Sequence, residues 1–321
     1  MNFTKQPDQF ASIYGDLSYS FTGASSSELL LNILDVSNGK TLGSKRYFNT
    51  TSGTTNIAPM IRKNIRFTPQ TGRIGFYEAK DRGISVQLSG DNTFSEVRTF
   101  LATKDQATTS SLLTSMPRQR IIAYGEYDEI TCLIPSSYTV SLQSDTQTTP
   151  ITFNYDKGQP LTIFRLETGY FPPSTKTISL EIIVEKATID RIDYTVVPAS
   201  ECGCRLAWRS SAGSIEHYTF PVIKSIIQKT DKEQIYTSTN GYIDTCIKTE
   251  QTTSLTSAYE PTSMILALSE LFTSPQVWRV RDTQYEEVDL HPTEQTIFRH
   301  GTLCGVEVSI RPKFKKKPLW N

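Results

Sequence analysis

The sequence predicts an all-β protein of two or three antiparallel β-sandwich-like domains, with one short helix near the C-terminus. Short runs of alternating apolar and polar residues recur along most of the 321 residues, and such alternation is typical of half-buried strands. Turn residues separate the runs at intervals of about 8–12 residues, which is the spacing found in sandwiches and barrels. Two Asn-Gly pairs, at Asn38 and Asn240, favour tight hairpin turns.

The first predicted domain spans residues 1–116. Strands are expected over 17–22, 29–36, 41–48, 73–78, 84–88 and 94–101. Asn38-Gly39 joins the second and third of these as a hairpin, and Pro59 begins a short helical turn within 56–64. Residues 103–116 lack alternation, so we expect a loop or a short helix there.

The middle predicted domain, residues 117–198, begins where the composition shifts at Met116-Pro117. Its expected strands are 119–123, 128–134, 138–142, 149–153, 161–166, 177–186 and 191–197. The run 177–186 is the clearest, because Ile178, Leu180 and Ile182 fall on one face. This regular series of short strands predicts a β-sandwich.

The third predicted domain, residues 199–312, returns to strands around a single helix. Its strands are expected over 202–209, 215–220, 221–229, 234–238, 242–248, 277–281, 286–289, 296–299 and 304–311. The helix is expected over 261–272, with Thr262 or Ser263 near its cap and Pro275 preventing its continuation. A basic segment, residues 313–321, follows as a predicted C-terminal arm.

The run from Cys202 to Phe220 predicts a hairpin around which we expect the third domain to be organised. Leu206 and Trp208 alternate with polar or small neighbours, the segment 210–214 supplies a turn with Gly213, and a second alternation ends at Phe220. A glycine-containing loop between two alternating runs is typical of a hairpin.

This hairpin resembles a W-x-N-x-x-G-G-x-[DE]-x-aromatic-x-F hairpin of tail and other virion proteins of phages and prophages of Bacteroidetes bacteria. The matching residues are Trp208, Gly213, Glu216, Tyr218 and Phe220. Ser210 replaces the asparagine of the pattern and Ser214 replaces its second glycine. Two other stretches, 56–62 and 271–278, are similar to the same group. The resemblance implies a structural role, with the five matching residues as scaffold rather than a binding site.

Composition limits the classes of partner that the chain is expected to bind. The 33 basic residues balance the 33 acidic residues, so no overall field attracts nucleic acid or an anionic membrane. The N-terminal segment lacks the apolar core of a signal peptide, which predicts a protein made in the host bacterial cytoplasm. We therefore expect neither a membrane nor a nucleic acid as the partner.

No cofactor, metal or catalytic residue is expected. Five cysteines without a secretory signal favour buried thiols over disulfides. Cys202, Cys204, His217 and Cys246 do not form the paired knuckles of a structural zinc site. Glu216 and His217 point to opposite faces of their strand. The acidic pairs at 128–129 and 286–287 are interpreted as edge or surface charges that discourage strand pairing.

Two segments remain as candidate contact surfaces. Tyr170 and Phe171 lie in an expected projecting loop stiffened by two prolines; such aromatics bind partners or sugars, and the alternative is that they fill the end of a sandwich. The C-terminal arm is either a solvated end or a docking arm. The residues of that candidate docking arm are Phe314, Lys315, Lys316, Lys317, Leu319 and Trp320.

The sequence thus supports a first hypothesis and an alternative. The first is a non-enzymatic structural protein of a phage virion, in its tail, neck or baseplate, which acts by binding other virion proteins and copies of itself in a ring. The alternative is an adhesin-like module that recognises a host surface glycan through loop aromatics. A polysaccharide-degrading enzyme would need a pair of carboxylates in a cleft.

Overall fold

A computed structural model describes residues 1–25, 27–156, 158–199, 203–291 and 295–314, with only the backbone of 245–247. Over these ranges the chain forms 25 strands in five sheets and two short α-helices. All strand pairs are antiparallel except one pair of strands and one isolated bridge. The predicted all-β class, with its short helix near the C-terminus, is confirmed.

The N-terminal part contains two sheets that share one core. The three-stranded sheet has the order β1 (Asn2–Lys5), β2 (Ser18–Thr22), β5 (Ser52–Asn56). The other has the order β4 (Lys40–Phe48), β3 (Glu28–Asp35), β7 (Gly83–Gly90), β8 (Thr93–Phe94), with β9 (Arg98–Leu101) also on β7. Tyr19, Leu31 and Leu88 meet in the core between them, together with Ala58 from α1 (Ala58–Arg62).

The middle part is a sandwich of two sheets. One sheet has the order β10 (Ser111–Leu113), β12 (Tyr127–Leu133), β15 (Leu161–Glu167), β6 (Gly75–Glu78). The other has the order β11 (Gln119–Ala123), β17 (Ala187–Val197), β16 (Thr177–Val184), β13 (Tyr138–Ser144), β14 (Ile151–Tyr155), with β11 parallel to β17. Ile130 and Phe164 of the first sheet pack against Val140 and Leu180 of the second.

The C-terminal part is one eight-stranded sheet covered by a helix. Its order is β19 (Ile215–Phe220), β18 (Cys204–Arg209), β22 (Val277–Arg281), β23 (Gln284–Leu290), β25 (Leu303–Pro312), β21 (Gly241–Thr256), β20 (Val222–Thr237), with β24 (Thr296–His300) also on β25. The helix α2 (Thr262–Leu268) continues as a 3-10 turn, Ser269–Phe272. Met264 and Leu268 of α2 pack with Trp208 and Val306 in the core.

Several expected elements differ in the structure. Residues 111–113 form β10, because Leu112 and Leu113 are buried in the sheet beside β12. Strand pairing crosses residue 116: β6 and β10 precede it in the chain but complete a sheet of the middle sandwich. Pro261 occupies the N-cap position of α2, and neither Thr262 nor Ser263 caps it through a side chain.

The β20–β21 hairpin is the largest departure from expectation. The two separate runs 221–229 and 234–238 form a single strand, β20, of 16 residues, and β21 is equally long. Gly241 closes the turn with a φ of 69°, a value that glycine adopts without strain. The result is a ribbon much longer than the usual strand of about 5–6 residues.

Candidate functional site

The hairpin β18–β19 lies inside the protein on both of its faces. Trp208 pairs opposite Glu216, and Leu206 opposite Tyr218. Trp208, Tyr218 and Phe220 pack into the core under α2. Side chains on the other face join a polar cluster between the sheet and the middle sandwich, so the five residues of the resemblance do not reach the surface.

Gly213 closes this hairpin for a steric reason. Its φ is 92°, and an added Cβ would lie 2.8 Å from Cγ2 of Thr103. A side chain there would therefore meet both backbone strain and a clash. The turn packs against the segment after β9, because Lys104 N donates to Ser211 O at 2.6 Å.

Glu216 is buried but has polar partners. Ser214 Oγ donates to its Oε1 at 2.5 Å, and Ser115 N donates to the same oxygen at 3.2 Å. Arg120 Nη1 lies 3.6 Å from Oε2. Burial raises the pKa of Glu216, and Arg120 opposes that rise. The carboxyl group thus links the hairpin to the segment that leads into the middle sandwich.

Asp128 is the centre of the buried polar cluster. Its Oδ2 accepts hydrogen bonds from Arg120 Nη1 at 2.6 Å and from Tyr194 Oη at 2.9 Å. Burial raises the pKa of Asp128, but Arg120 and His217 outweigh burial and the net pKa lies below its ordinary value. Asp128 is therefore ionised at neutral pH and forms a buried ion pair with Arg120.

His217 extends this cluster into the C-terminal sheet. Its Nδ1 lies 3.4 Å from Asp128 Oδ1, and its Nε2 lies 3.1 Å from Tyr285 Oη. Burial lowers the pKa of His217 to about 4, against the opposing effect of Asp128. The imidazole is neutral at pH 7 and supplies hydrogen bonding rather than charge.

A second set of ion pairs, one fully buried and one partly buried, joins the three parts of the chain. Glu129 Oε2 accepts from Arg82 Nη2 at 3.0 Å, and both side chains are fully buried. Arg205 of β18 donates from Nη1 to Glu126 Oε2 at 2.7 Å and from Nη2 to Tyr127 O. The void beside Asp128 and His217 is about 10 Å³, about the space of one water molecule. The cluster is closed to a substrate-sized molecule.

The interpretation as edge or surface charges was wrong for the acidic pair at 128–129. Asp128 and Glu129 lie in β12, which has neighbours on both sides and buries both carboxylates. At 286–287 the strand is not a sheet edge, and both side chains are half-buried. Glu287 lies in β23, also between two strands, and pairs with Arg66 at 2.5 Å and Lys313 at 3.0 Å. Alternation predicts the face on which a side chain lies but not the cationic residue that it contacts. The sequence therefore did not reveal these ion pairs.

The predicted aromatic contact loop is only half present. Tyr170 is exposed, but Phe171 is 2% exposed and packs in the core of the middle sandwich. Phe171 is therefore not available to a ligand, and the expectation for this residue was wrong. Tyr127 and Tyr155 are buried as well. Tyr155 and Phe171 pack in the core of the middle sandwich, whereas Tyr127 packs in the core of the N-terminal part. Of these four residues, Tyr170 alone is exposed.

The predicted C-terminal arm is described only at its start. Lys313 Nζ pairs with Glu287 Oε2 at 3.0 Å, and Phe314 is exposed. The remaining residues of the predicted docking arm, Lys315, Lys316, Lys317, Leu319 and Trp320, lie outside the described residues. Its docking role stays a prediction.

A projecting hairpin arm, which we define as residues 226–252, is the surface feature that sequence reasoning missed. β20 and β21 pair along their whole length, but β21 joins β25 only through Thr253–Thr256. Every residue of β20 from Ile226 to Tyr236 is exposed. At about 3.3 Å per residue, the arm extends about 40 Å beyond the sheet.

The end of the hairpin arm carries apolar side chains on both faces. Tyr236 pairs opposite Tyr242, with ring centroids 5.3 Å apart, and Ile235 pairs opposite Ile243 on the other face. Tyr236 and Tyr242 are 66% and 73% exposed, and Ile235 and Ile243 are 56% and 40% exposed. Paired large apolar groups at such exposure are typical of a protein contact surface.

Opposite charges along the arm lie close to one another. Residues 226–252 contain three lysines and four carboxylates. Lys232 Nζ lies 3.0 Å from Asp244 Oδ2, and Lys248 Nζ lies 3.3 Å from Glu233 Oε1. Hydrogen bonding from Gln234, and then from Lys232, lowers the pKa of Asp244. A ribbon with three lysines against four carboxylates has no electrostatic attraction for nucleic acid.

The arm lacks the support that a ribbon of two strands needs. An isolated two-stranded hairpin is at best marginally stable in water, and a third strand or a packed face makes it stable. Over 226–252 each strand has the other as its only strand neighbour among the described residues. A signal for the arm was present in the sequence. The two adjacent runs of 16 residues have Thr, Lys and Gln on both faces, and such runs predict strands that do not pack on a hydrophobic core.

The described residues contain neither a candidate metal site nor a membrane-spanning helix. Groups of three or more His, Cys, Asp or Glu side chains suited to a metal ion are absent from them. Cys132, Cys204 and Cys304 are buried free thiols; Cys202 and the side chain of Cys246 lie outside the described residues. Across the same parts of the chain, no helix is both long enough and apolar enough to cross a bilayer.

Comparison with known proteins gives distant structural similarities alone. Neither protein-family models nor curated proteins match the chain. The native conformation of E. coli alpha-2-macroglobulin is similar at a TM-score of 0.19 and 8% identity, over 95% of this chain and 22% of that one. Dpr2 Ig1-Ig2, in a complex with DIP-Theta Ig1-Ig3, is similar at a TM-score of 0.20 and 6% identity, over 100% and 91%.

Proposed function

We propose that the protein is a non-enzymatic structural component of a phage or prophage virion, which acts by binding neighbouring virion proteins. The hairpin arm carries the proposal, because its exposed apolar end and its unsupported strands are best explained by a neighbouring protein that covers them. The tail, neck or baseplate setting rests on the resemblance of the Trp208–Phe220 hairpin and of stretches 56–62 and 271–278.

The rest of the molecule suits this role. The fully buried pair Arg82–Glu129 and the partly buried pair Arg205–Glu126 connect the three parts of the chain. A pair of this kind fixes relative position, since separating its partners would leave an uncompensated buried charge. A rigid body with one long arm is a suitable shape for a subunit that must hold its neighbour at a set distance.

The glycan alternative has less support. It relied on Tyr170 and Phe171 as a stacking platform, and Phe171 is buried. A single exposed tyrosine offers a sugar ring one face and no second wall. Recognition of a host glycan stays a prediction that rests on Tyr170 alone.

The proposal is tested in the bacterium that encodes the chain. A tagged full-length protein and an arm-shortened variant, with residues 227–252 replaced by Asn-Gly, are each expressed there, and nuclease-resistant particles are purified. The substitution keeps the Ile226–Thr253 pair and closes it with a two-residue turn. Quantitative mass spectrometry is expected to find the full-length chain in the particles and the variant depleted from them.

Folding of the variant is the control. Because the arm adds no described core contact, its thermal midpoint is expected within about 2 °C of the full-length value. A chain that is absent from the particles in its full-length form would contradict the virion proposal. Equal incorporation of both forms would remove the arm as its basis.

A further inference from the structure

A small pocket with a volume of about 220 Å³ opens beside the turn of the β18–β19 hairpin. The segment after β9 contributes Lys104 to its wall, and the 3-10 turn that follows α2 contributes Glu270. Pockets for drug-sized ligands measure about 300–1,000 Å³, so this pocket suits a smaller group. The proposed function does not involve it.

Arg209 of the pocket lining is a buried cation without an anionic partner. Its side chain is 6% exposed, and its Nη1 donates to Ile65 O at 3.3 Å. Its guanidinium lies over the ring of Phe67, 4.6 Å from the ring centroid. Among the described residues no carboxylate forms an ion pair with Arg209, although buried charges are normally paired. Burial lowers the pKa of Arg209, an effect that a nearby anion would oppose.

The guanidinium of Arg209 lies at the wall of the pocket. Its Nη2 donates to Tyr14 Oη at 3.1 Å, and Tyr14 is itself a lining residue. A guanidinium has five N–H donors, so these bonds to Ile65 and Tyr14 leave donors for a ligand. The charge that lacks a partner is therefore accessible from the pocket.

Lys104 adds a second positive charge to the lining. Its backbone N donates to Ser211 O at 2.6 Å, which holds this segment against the hairpin turn. Its side chain is exposed, and the ion pairs of the described residues do not include it. Arg62 lies over the ring of Tyr14 at 5.4 Å, but it is outside the lining and exposed, so solvent screens its charge.

Glu270 is the acidic residue of the lining, and hydroxyl and amide groups hold it. Ser211 Oγ donates to its Oε1 at 2.6 Å, while Ser115 Oγ at 2.8 Å and Ser211 N at 3.3 Å donate to its Oε2. Two cations, Lys104 and Arg209, against this one carboxylate leave the lining with one positive charge in excess. One negative charge balances that excess, whereas a doubly charged phosphate would exceed it.

We propose that this pocket binds a carboxylate group, carried either by a small organic acid or by an acidic side chain of another protein. A guanidinium such as that of Arg209 pairs with a planar carboxylate through two parallel N–H···O bonds. The ammonium group of Lys104 supplies a second charge without a fixed geometry. The site is a property of the folded chain and does not depend on the proposed assembly function.

The test titrates sodium propionate into the ²H,¹⁵N-labelled full-length protein, in place of sodium chloride so that the ionic strength stays constant. Backbone amide signals are followed by TROSY NMR spectroscopy. We expect the signals of residues 104, 210, 211, 273 and 274 to shift and to saturate in the millimolar range, because so small a ligand binds weakly. Propionamide, which has the same shape without the charge, is expected to leave them unchanged.

Two substitutions change the charge of the pocket in opposite directions. Lys104→Gln removes an exposed positive charge and is expected to weaken propionate binding about threefold. Glu270→Gln removes the repelling carboxylate and is expected to strengthen binding about threefold. Lys40→Gln is the matched control, because Lys40 is exposed and outside the pocket, and it is expected to leave the affinity unchanged. None of these side chains belongs to the core, so the variants fold like the parent protein.

A second ligand distinguishes the two sources of the carboxylate. N-acetylaspartate N-methylamide presents an aspartate side chain in the form that a protein presents it. Tighter binding than that of propionate assigns the pocket to an acidic side chain of another protein. Equal or weaker binding assigns it to a small organic acid.

Three results would overturn the inference. Shifts that do not saturate with propionate, or that propionamide reproduces, would remove the carboxylate site. Saturation by inorganic phosphate but not by propionate would replace the class of ligand. Equal affinities for Lys104→Gln, Glu270→Gln and Lys40→Gln would show that propionate binds elsewhere. None of these results touches the presence of the chain in virion particles, which the particle experiment measures independently.

Discussion

Two hairpins of the same sheet, β18–β19 and β20–β21, follow each other directly in the chain and have opposite surroundings. The first has six residues in each strand and is buried on both faces. The second has 16 in each strand and is exposed along the 226–252 arm wherever its side chains are described, apart from Thr237, Gly241 and Thr252. The same antiparallel pairing therefore serves two purposes. The first hairpin stabilises the fold, and the second hairpin projects into solvent.

The difference between the hairpins follows from the groups that their side chains contact. In β18–β19, aromatic residues meet the helix α2, and polar residues such as His217 meet Asp128 of another sheet. In the hairpin arm, Lys232 and Glu233 find partners within the arm itself. These charges pair within the arm rather than with the body of the protein, so the exposed faces of the arm are open to another protein.

The largest expected effect on stability comes from removing a buried aromatic side chain of the first hairpin. Trp208→Ala removes a fully buried side chain and is expected to lower the free energy of unfolding by about 4 kcal/mol. Tyr236→Ala in the arm is the matched change and is expected to stay within about 0.5 kcal/mol of the parent protein. Urea unfolding measures both. Similar losses for the two variants would mean that the arm packs against its own body.

A second comparison uses one aspartate from each region. Asp128→Asn leaves the buried Arg120 with only the more distant carboxylate of Glu216, 3.6 Å away, which is expected to cost about 3 kcal/mol. Asp244→Asn removes an exposed partner of Lys232 and is expected to leave urea unfolding unchanged. If Asp128→Asn unfolds like the parent, the buried cluster does not hold the parts of the chain together.

The pH dependence of the free energy of unfolding tests the buried cluster through His217. Its pKa is about 4 in the folded protein and 6.5 ordinarily, so between these values the unfolded chain binds a proton that the native chain does not. Stability therefore falls as the pH is lowered through this window. From pH 7 to pH 5, the parent is expected to lose about 2 kcal/mol more than His217→Asn.

This measurement compares the parent with the variant at each pH by urea unfolding. Burial raises the pKa of Glu129 despite the opposing charge of Arg82, and its titration has the opposite sign. Because Glu129 is present in both proteins, its contribution cancels in the difference. Equal pH dependence in the two proteins would show that His217 is protonated in the native state as readily as in the unfolded chain.

The smallest expected effect on folding concerns the C-terminal segment. Truncation after Pro312 removes the exposed pair of Lys313 with Glu287, and the free energy of unfolding is expected to change by less than about 0.5 kcal/mol. If residues 313–321 form the predicted docking arm, the truncated protein has a lower mass in solution by mass photometry. An unchanged mass distribution would leave the segment as a solvated end.

Strand positions were predictable where local pattern decides them. The expected runs 119–123 and 277–281 coincide with β11 and β22, because alternation and turn residues mark both of their ends. The five residues of the Trp208–Phe220 resemblance fall in a hairpin for the same reason. The hairpin between β3 and β4 is also present, with Gly39 at a φ of 64°.

Partners distant in the chain were not predictable in this way. Nothing near Asp128 indicates that Arg120, Tyr194 and His217 will surround it, since His217 is brought there by a different sheet. The same holds for β6, which completes a sheet with β15 from across the predicted boundary. The arm was missed because the pattern predicts strands but not whether anything covers them.

The central proposal is that the hairpin arm binds neighbouring proteins, copies of this chain among them, and its most direct test is the mass distribution in solution. Mass photometry of the full-length protein is compared with that of the variant in which Asn-Gly replaces residues 227–252. The account predicts discrete species heavier than one chain for the full-length protein and single chains for the variant, with equal thermal midpoints. The same mass distribution for both proteins would contradict it.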